Sequence, residues 1–151
     1  MKAWLGSIQK VDPSTLSPIK KTIPANYVLG VLGTRSKMTY DAMRTEIIQP
    51  ALDTWGLPAE LIIPSEGESS HVLMLWAQQK DIPIRMVSCD WVSDGRRATL
   101  FRDTSIQREA HRLIVLQGPR SNAASKVAAR LAKKGKPVGL SERPGFPLKM
   151  I

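Results

Sequence analysis

The feature that most constrains the fold is an apolar run near the start of the chain, with the sequence YVLGVL over Tyr27–Leu32. Aromatic and β-branched side chains are frequent in it, and apolar residues do not alternate with polar ones. A strand with one face in water alternates, whereas a strand covered by helices on both faces has a nearly continuous apolar sequence. The run therefore predicts a buried strand at the centre of a parallel sheet.

The residues that follow this run have the composition of an anion-binding turn. Gly33 comes directly after the strand, and Thr34, Arg35 and Ser36 precede a helical pattern that begins near Tyr40. In open α/β sheets such a turn can present backbone N–H groups and a helix N-terminus to an anion, and an arginine can bind the anion through two hydrogen bonds. Because many turns between strands and helices contain glycine, this prediction depends on matching chemistry in other loops.

The rest of the chain alternates short apolar runs with helical patterns. The further predicted strands are Leu61–Ile63, Ile84–Val87, Leu113–Leu116 and Pro137–Leu140. One predicted helix begins after Thr39, and three others cover His71–Lys80, Arg96–Glu109 and Ala123–Lys134. Strands that alternate with helices form parallel sheets with helices on both faces. We therefore predict an α/β fold, a Rossmann-like three-layer sandwich with a mainly parallel sheet of about five strands.

Several residues are expected to set the ends of these helices. Thr39 can cap the first helix, and Pro50 should kink or end it. Ser69 or Ser70 is positioned to cap the second helix, and Gly135 should end the last one.

The domain organisation follows from the positions of these elements and of the prolines. Residues 1–26 contain three prolines and are predicted to be an N-terminal arm with a short edge strand at Lys2–Ile8. Residues 27–140 form the predicted domain, and residues 141–151, with two further prolines, form a C-terminal tail.

Composition excludes several classes of protein and of site. No apolar stretch approaches the ~20 residues that span a bilayer, and the apolar run Ala3–Leu5 is too short for a secretory signal. We therefore expect a cytoplasmic protein without membrane contact. Cys89 is the only cysteine, and His71 and His111 lack ligand spacing, so we expect no intrachain disulfide, no metal and no cofactor. We also expect a homo-oligomer.

Positive charge is concentrated in one part of the chain. From Arg96 to Lys136 there are eleven Lys and Arg residues against Asp103 and Glu109, which accounts for the whole net charge of +9. A basic segment of this kind favours an anionic partner such as a nucleotide or a nucleic acid. The alternative is a solvated face with cations near helix C-termini.

Four loops should meet at the carboxyl ends of the predicted strands, where open α/β sheets bind ligands. These loops are Gly33–Lys37, Ser65–Ser70, Cys89–Gly95 and Gln117–Asn122. Arg35, Arg102 and Arg120 lie in or just beyond them, and three arginines from separate segments suit an anionic ligand. The candidate ligand-binding residues are Gly33, Thr34, Arg35, Ser36, Ser65, Gly67, Ser69, Trp91, Arg102, Gly118, Arg120, Ser121 and Asn122.

The motifs in these loops, taken in order, resemble the SLOG superfamily and are most similar to its YspA-type members. The chain has G-T-R-S after the first strand, a small-residue loop leading to a helix with Trp76–Ala77, D-W-x-x-x-G-R-R-A-x-x-x-R-D over Asp90–Asp103, and a late G-x-x-S turn from Gly118. The match covers residues 27–138 in order. The resemblance implies a Rossmann-like domain that binds a nucleotide or a nucleotide derivative.

One loop departs from the family pattern and introduces two carboxylates. Where relatives carry G-G-A-x-G-x-D, this chain has P-S-E-G-E-S-S over Pro64–Ser70. Glu66 and Glu68 are therefore the candidate catalytic residues for cleaving the N-glycosidic bond of a nucleoside monophosphate. A catalytic carboxylate should have a pKa raised by burial toward the working pH. The alternative is that both are surface charges, with Glu68 favoured near a helix N-terminus.

Three functions remain open at this point. The first, which we prefer, is binding of a nucleotide or nucleotide derivative without chemistry, and the second is the N-glycosidic hydrolase. The third is a DNA- or RNA-binding module using residues 96–136, which lacks interleaved aromatic residues because only Phe101 interrupts the basic segment. Trp91 could stack on a base or close the core beneath its loop.

Overall fold

The apolar run predicted as the central strand lies in the middle of a seven-stranded sheet. The structure, a computed structural model, describes residues 26–118, 123–142 and 147–151, together with the backbone of residues 8–11. The strands are β1 (Ile8–Val11), β2 (Val28–Leu32), β3 (Glu60–Pro64), β4 (Ile84–Val87), β5 (Arg112–Leu116), β6 (Val138–Ser141) and β7 (Lys149–Met150). Their spatial order is β1-β4-β3-β2-β5-β6-β7, so β2 is the central strand. The predicted fold class and the position of this strand are confirmed.

The sheet is mainly parallel, but it has more strands than the five or so predicted. All neighbouring pairs are parallel except β6 and β7. The five predicted strands correspond to β2–β6, and the two additional strands form the edges. The described edge strand of the arm is Ile8–Val11, and of the predicted strand Lys2–Ile8 only Ile8 lies within the described residues. Strand β7 has only two residues, which is too short for a periodic pattern. The division into arm, domain and tail stays a prediction.

Helices cover both faces of the sheet. They are α1 (Tyr40–Ala42), a π-helical segment (Met43–Ile48), α2 (Gln49–Trp55), α3 (Glu68–Gln79), α4 (Trp91–Asp94), a 3₁₀ segment (Gly95–Arg97), α5 (Ala98–Glu109) and α6 (Ala124–Lys133). Leu29 and Val31 of β2 lie in the core under α1–α3, and α5 and α6 pack on the other face. A Cβ atom at Gly30 would lie 2.7 Å from the Cβ of Ala110, so the end of α5 packs directly on the backbone of β2. In the described part of the chain, no helix has the length and apolar character needed to cross a membrane.

The first helical segment does not end at Pro50, contrary to one of the two expected outcomes. It runs through the π-helical segment, where the Gln49 N–H donates to the Arg44 carbonyl, and continues as α2. Pro50 has no N–H to donate to the carbonyl of Glu46 four residues before it. That carbonyl instead accepts a hydrogen bond of 2.7 Å from the N–H of Leu148. A distant segment thus takes over a bond that the helix lacks.

The other helix ends differ in how well they were predicted. Thr39 caps α1 as expected, because its Oγ1 accepts a hydrogen bond from the Ala42 N–H at 3.1 Å. Gly135 follows the end of α6 with φ +87°, also as expected. Helix α3 begins at Glu68 instead of His71, so Ser69 and Ser70 lie in its first turn and do not cap it.

The order of the strands determines where a ligand can enter. From β2 the chain moves to β3 and then to β4 on one side, and it returns to β5 on the other side of β2. The loops after β2 and β5 therefore diverge and leave a crevice at the carboxyl ends of these two strands. This is the switch point at which open α/β sheets bind ligands.

Candidate functional site

A cleft of about 340 Å³ lies at the switch point between β2 and β5. Five of the candidate ligand-binding residues line it: Gly33, Thr34, Arg35, Arg102 and Gly118. Its other walls come from α5 and from the start of α6, both on the same side of the sheet. The location that the sequence predicted for the site therefore coincides with a cleft of the fold.

The turn after β2 is shaped by close contact between backbones. Gly33 has φ +80°, and a Cβ atom there would lie 1.9 Å from the carbonyl oxygen of Leu116. Only glycine can occupy this position, because any side chain would collide with β5. Thr34 is buried, and its hydroxyl donates to the Glu66 carbonyl at 2.8 Å. Gly67 makes a second contact, since a Cβ there would lie 2.2 Å from the Thr34 carbonyl oxygen.

The serines of the neighbouring loops hold these loops together and do not line the cleft. Ser69 Oγ donates to the Ser36 carbonyl at 2.7 Å, and the two hydroxyl oxygens are also 2.7 Å apart. Both side chains are buried. Ser65 accepts from the hydroxyl of Ser88 at 3.0 Å, and Ser70 donates to the Pro64 carbonyl at 2.7 Å. Their hydrogen bonds give Ser36, Ser65 and Ser69 a structural role.

Glu66 is the centre of a charged cluster at one side of the cleft. Its Oε1 accepts hydrogen bonds from Arg102 Nη1 at 2.5 Å and from Arg35 Nη2 at 3.3 Å. Arg102 is buried, and its Nε donates to Asp103 Oδ1 at 3.0 Å. The Cys89 thiol is part of the same cluster, since Arg102 Nη1 donates to its sulfur at 3.3 Å. Two arginines and two carboxylates thus share one network.

Glu66 does not have the raised pKa expected of a catalytic carboxylate. Burial alone would raise the pKa of this carboxyl, but the hydrogen bond and charge of Arg102, together with the charge of Arg35, lower it below its ordinary value. Glu66 is therefore ionised at neutral pH, and its carboxylate forms ion pairs with both arginines. Glu68 is exposed in the first turn of α3 and does not line the cleft.

The pKa of Asp103 is shifted in the opposite direction, although its side chain is exposed to about the same extent as that of Glu66. Burial raises the pKa of this carboxyl, and the charge and hydrogen bond of Arg102 oppose that rise only in part. Asp103 lines the cleft beside Arg102 and is the carboxylate of the cluster that a ligand can meet there.

The remaining candidates lie apart from the cleft or outside the described residues. Trp91 is 52% exposed at the start of α4, so it does not close the core, and it does not line the cleft. The described residues do not include Arg120, Ser121 and Asn122. The predicted role of these three residues in anion binding therefore stays a prediction. Within the described residues, no three or more His, Cys, Asp or Glu side chains are grouped so that they could hold a metal ion.

The sequence prediction missed the residues that two helices contribute to the cleft. The residues of α5 and α6 that were missed are Thr99, Leu100, Asp103, Gln107, Ala124, Val127 and Arg130. Thr99, Asp103 and Gln107 are spaced four residues apart, which puts them on one helix face. That spacing was visible in the sequence, but the direction of the face depends on the packing of α5 against β2.

Comparisons with protein-family models, with curated proteins and with solved structures found no match to this chain.

Proposed function

We propose that the cleft at the switch point binds a nucleotide or a nucleotide-derived ligand. The observation that carries the proposal is the convergence of Arg35, Arg102 and Arg130 on one cleft from three separate elements. One lies in the turn after β2, one on α5 and one on α6. Arginines from separate elements bind a phosphate from several directions, and their charge exceeds that of Asp103, the one carboxylate among the described residues that line the cleft.

The uncharged part of the lining suits the rest of such a ligand. Leu100 and Val127 provide apolar surface on the helix side of the cleft, against which a base can pack. Asp103 and Gln107 provide oxygen and nitrogen atoms that can hydrogen-bond to sugar hydroxyls or base edges. The volume of about 340 Å³ is near the lower end of the range of small-molecule sites, so we propose a ligand the size of a mononucleotide. A SLOG-type relationship remains part of this proposal.

The hydrolase is the weaker alternative. Glu66 is engaged by Arg102 and Arg35, and Glu68 is exposed away from the cleft lining. A general acid needs a raised pKa and access to the substrate; the pKa of Glu66 is lowered, and Glu68 does not line the cleft. Binding without turnover is therefore the function we propose.

Nucleic-acid binding is supported by one arrangement of the described residues. The exposed cations Lys126, Arg130 and Lys133 lie on α6, close to the arginines of the cleft. If DNA or RNA binds there, affinity must fall steeply with salt because counterions are released. A charge reversal of these three residues should then abolish nucleic-acid binding. A gel shift that does not depend on salt, or no gel shift at all, would exclude this alternative.

The proposed function is tested by calorimetric titration of nucleoside mono-, di- and triphosphates into the wild type and three variants. Arg35→Gln and Arg130→Gln should each weaken binding of the best ligand by about 1.5–3 kcal/mol, because a charge-assisted hydrogen bond is lost. Arg44→Gln is the matched control, since it removes the same charge from the helical segment on the opposite face of the sheet. Equal affinity in all four proteins, or no binding to the wild type, would exclude the cleft as a nucleotide site.

A further inference from the structure

We propose that Glu66 is an internal anion that holds Arg35 until ligand binds, and that the anionic group of the ligand then replaces Glu66 as the partner of Arg35 while Arg102 keeps its ion pair with Glu66. This inference rests on the proposed function, because it assigns roles within the same anion site.

The two arginines that share Glu66 are held very differently. Arg102 Nη1 is 2.5 Å from Glu66 Oε1 and its side chain is 8% exposed, whereas Arg35 Nη2 is 3.3 Å away and its side chain is 62% exposed. Both pairs use the same carboxylate oxygen. An exposed ion pair contributes only about 0.2–1 kcal/mol, so a ligand anion can replace Glu66 as the partner of Arg35 at little cost.

Arg102 is fixed by more than Glu66. Its Nε donates to Asp103 Oδ1 at 3.0 Å, and its Nη1 also donates to the Cys89 sulfur at 3.3 Å. Breaking these contacts would leave a buried cation without a partner, which costs far more than the exposed pair. Arg102 therefore contributes positive charge to the cleft without moving, and Arg35 is the arginine that changes partner.

Glu66 is held rigidly enough to act as this internal anion. Its backbone carbonyl accepts hydrogen bonds from Thr34 Oγ1 at 2.8 Å and from Ser70 Oγ at 2.9 Å. The loop is thus tied to the turn after β2 and to the start of α3, which keeps the carboxylate beside Arg35. Removing the negative charge of Glu66 should free Arg35 for the ligand and increase affinity.

The experiment measures the affinity for adenosine monophosphate and for inorganic phosphate by calorimetry. Glu66→Gln should lower the Kd about two- to five-fold, the factor that corresponds to loss of an exposed ion pair. Glu68→Gln is the matched control, because it removes the same charge two residues away, and it should change the Kd less than about 1.5-fold. In an Arg35→Gln background, Glu66→Gln should give no increase in affinity, because the contested arginine is absent.

A second measurement follows ligand binding to the wild type and does not need Glu66→Gln, in case that variant folds poorly. In arginine side-chain NMR spectra, adenosine monophosphate should shift the Nε–Hε signal of Arg35, assigned with Arg35→Lys, and should leave that of Arg102 in place. A shift of the Arg102 signal without one of Arg35 would overturn the inference.

The outcomes separate this inference from the proposed function. If the wild type binds adenosine monophosphate and Glu66→Gln binds it equally or more weakly, the inference fails and the proposed function stands. If only Glu66→Gln binds, the wild type fails the proposed function, and Glu66 competes for Arg35 far more strongly than the two- to five-fold effect inferred, which overturns the inference. If neither protein binds either probe at millimolar concentration, both the inference and the proposed function are excluded.

Discussion

Two arginines in this protein each lie between two carboxylates, at opposite ends of the same sheet. At the amino end, Arg85 of β4 contacts Glu60 at 2.6 Å and Glu109 at 3.1 Å. At the carboxyl end, Arg102 contacts Glu66 at 2.5 Å and Asp103 at 3.0 Å. The two groups have the same composition and similar distances, so composition alone does not make a binding site.

What differs is the surroundings of each group. The Arg85 group has one cation for two carboxylates and lies between β3, β4 and the end of α5. The Arg102 group has a second cation, the exposed Arg35, and borders the cleft at the switch point. We infer that the first group stabilises the fold and that the second group both stabilises it and contacts ligand. Variants that separate stability from binding test this comparison.

The largest effect is expected from Arg85→Met. Removing the shared cation deprives Glu60 and Glu109 of their ion pairs in a mostly buried position, where only the charge of Lys136 still acts on Glu109, and this should cost about 3–5 kcal/mol of unfolding free energy. Urea unfolding measures this loss, and Arg44→Met, which breaks only an exposed pair, should cost less than about 0.5 kcal/mol. Affinity for nucleotide, measured on folded protein, should not change. A loss of binding with unchanged stability would reverse the assignment of the two groups.

A smaller loss of stability is expected from Arg102→Met, about 2–3 kcal/mol by the same measurement. Glu66 keeps Arg35 as a partner in this variant, and the side chains of Glu66 and Asp103 are about one-third exposed, so water can solvate them. Unlike Arg85→Met, this variant should also lose nucleotide affinity, because its charge borders the cleft. If Arg102→Met lowers the free energy of unfolding as much as Arg85→Met or more, the exposed Arg35 does not compensate for the loss of Arg102 as the partner of Glu66.

The smallest effect concerns acid. The pKa of Glu66 is lowered in the folded protein, so its ion pairs stabilise the fold above the ordinary pKa of 4.5 and the contribution is lost as pH falls through the lowered value. Urea unfolding of the wild type and Glu66→Gln should therefore differ at pH 7, by less than about 1 kcal/mol, and converge at lower pH. This difference should be much smaller than the loss of unfolding free energy in Arg85→Met. A difference that widens in acid would show that Glu66 is protonated more easily in the folded state.

Much of the fold could be predicted because the strands around β2 are buried on both faces. Continuous apolar runs such as Leu113–Leu116 have the same appearance in any parallel sheet, so the existence of these strands followed from pattern alone. Strand β7 was not predicted because it is short and is held by pairing with β6. Such pairing depends on residues that are distant in sequence, so a short stretch of sequence does not predict it.

The site was predictable in position but not in detail. The glycine turn at Gly33 and the switch point fix where a cleft forms, and both follow from the order of elements. The partners of Arg102 were not predictable, because Glu66, Cys89 and Asp103 come from three different segments that meet only in the folded chain. Glu66 was for this reason assigned to catalysis when its contacts are those of a counter-ion.

The hydrogen bond from the Leu148 N–H to the Glu46 carbonyl links a segment near residue 148 to the helical segment Met43–Ile48, of which it is not a part. Pro50 removes a donor from the helical segment on one face of the sheet, and the backbone of Leu148 replaces it a hundred residues later in sequence. Pro50 and Leu148 are therefore coupled. A chain shortened before Leu148 would keep the proline and lose the N–H group that donates to the Glu46 carbonyl. A truncation that removes Leu148 and the residues after it therefore acts on the helical segment Met43–Ile48 as well as on strand β7.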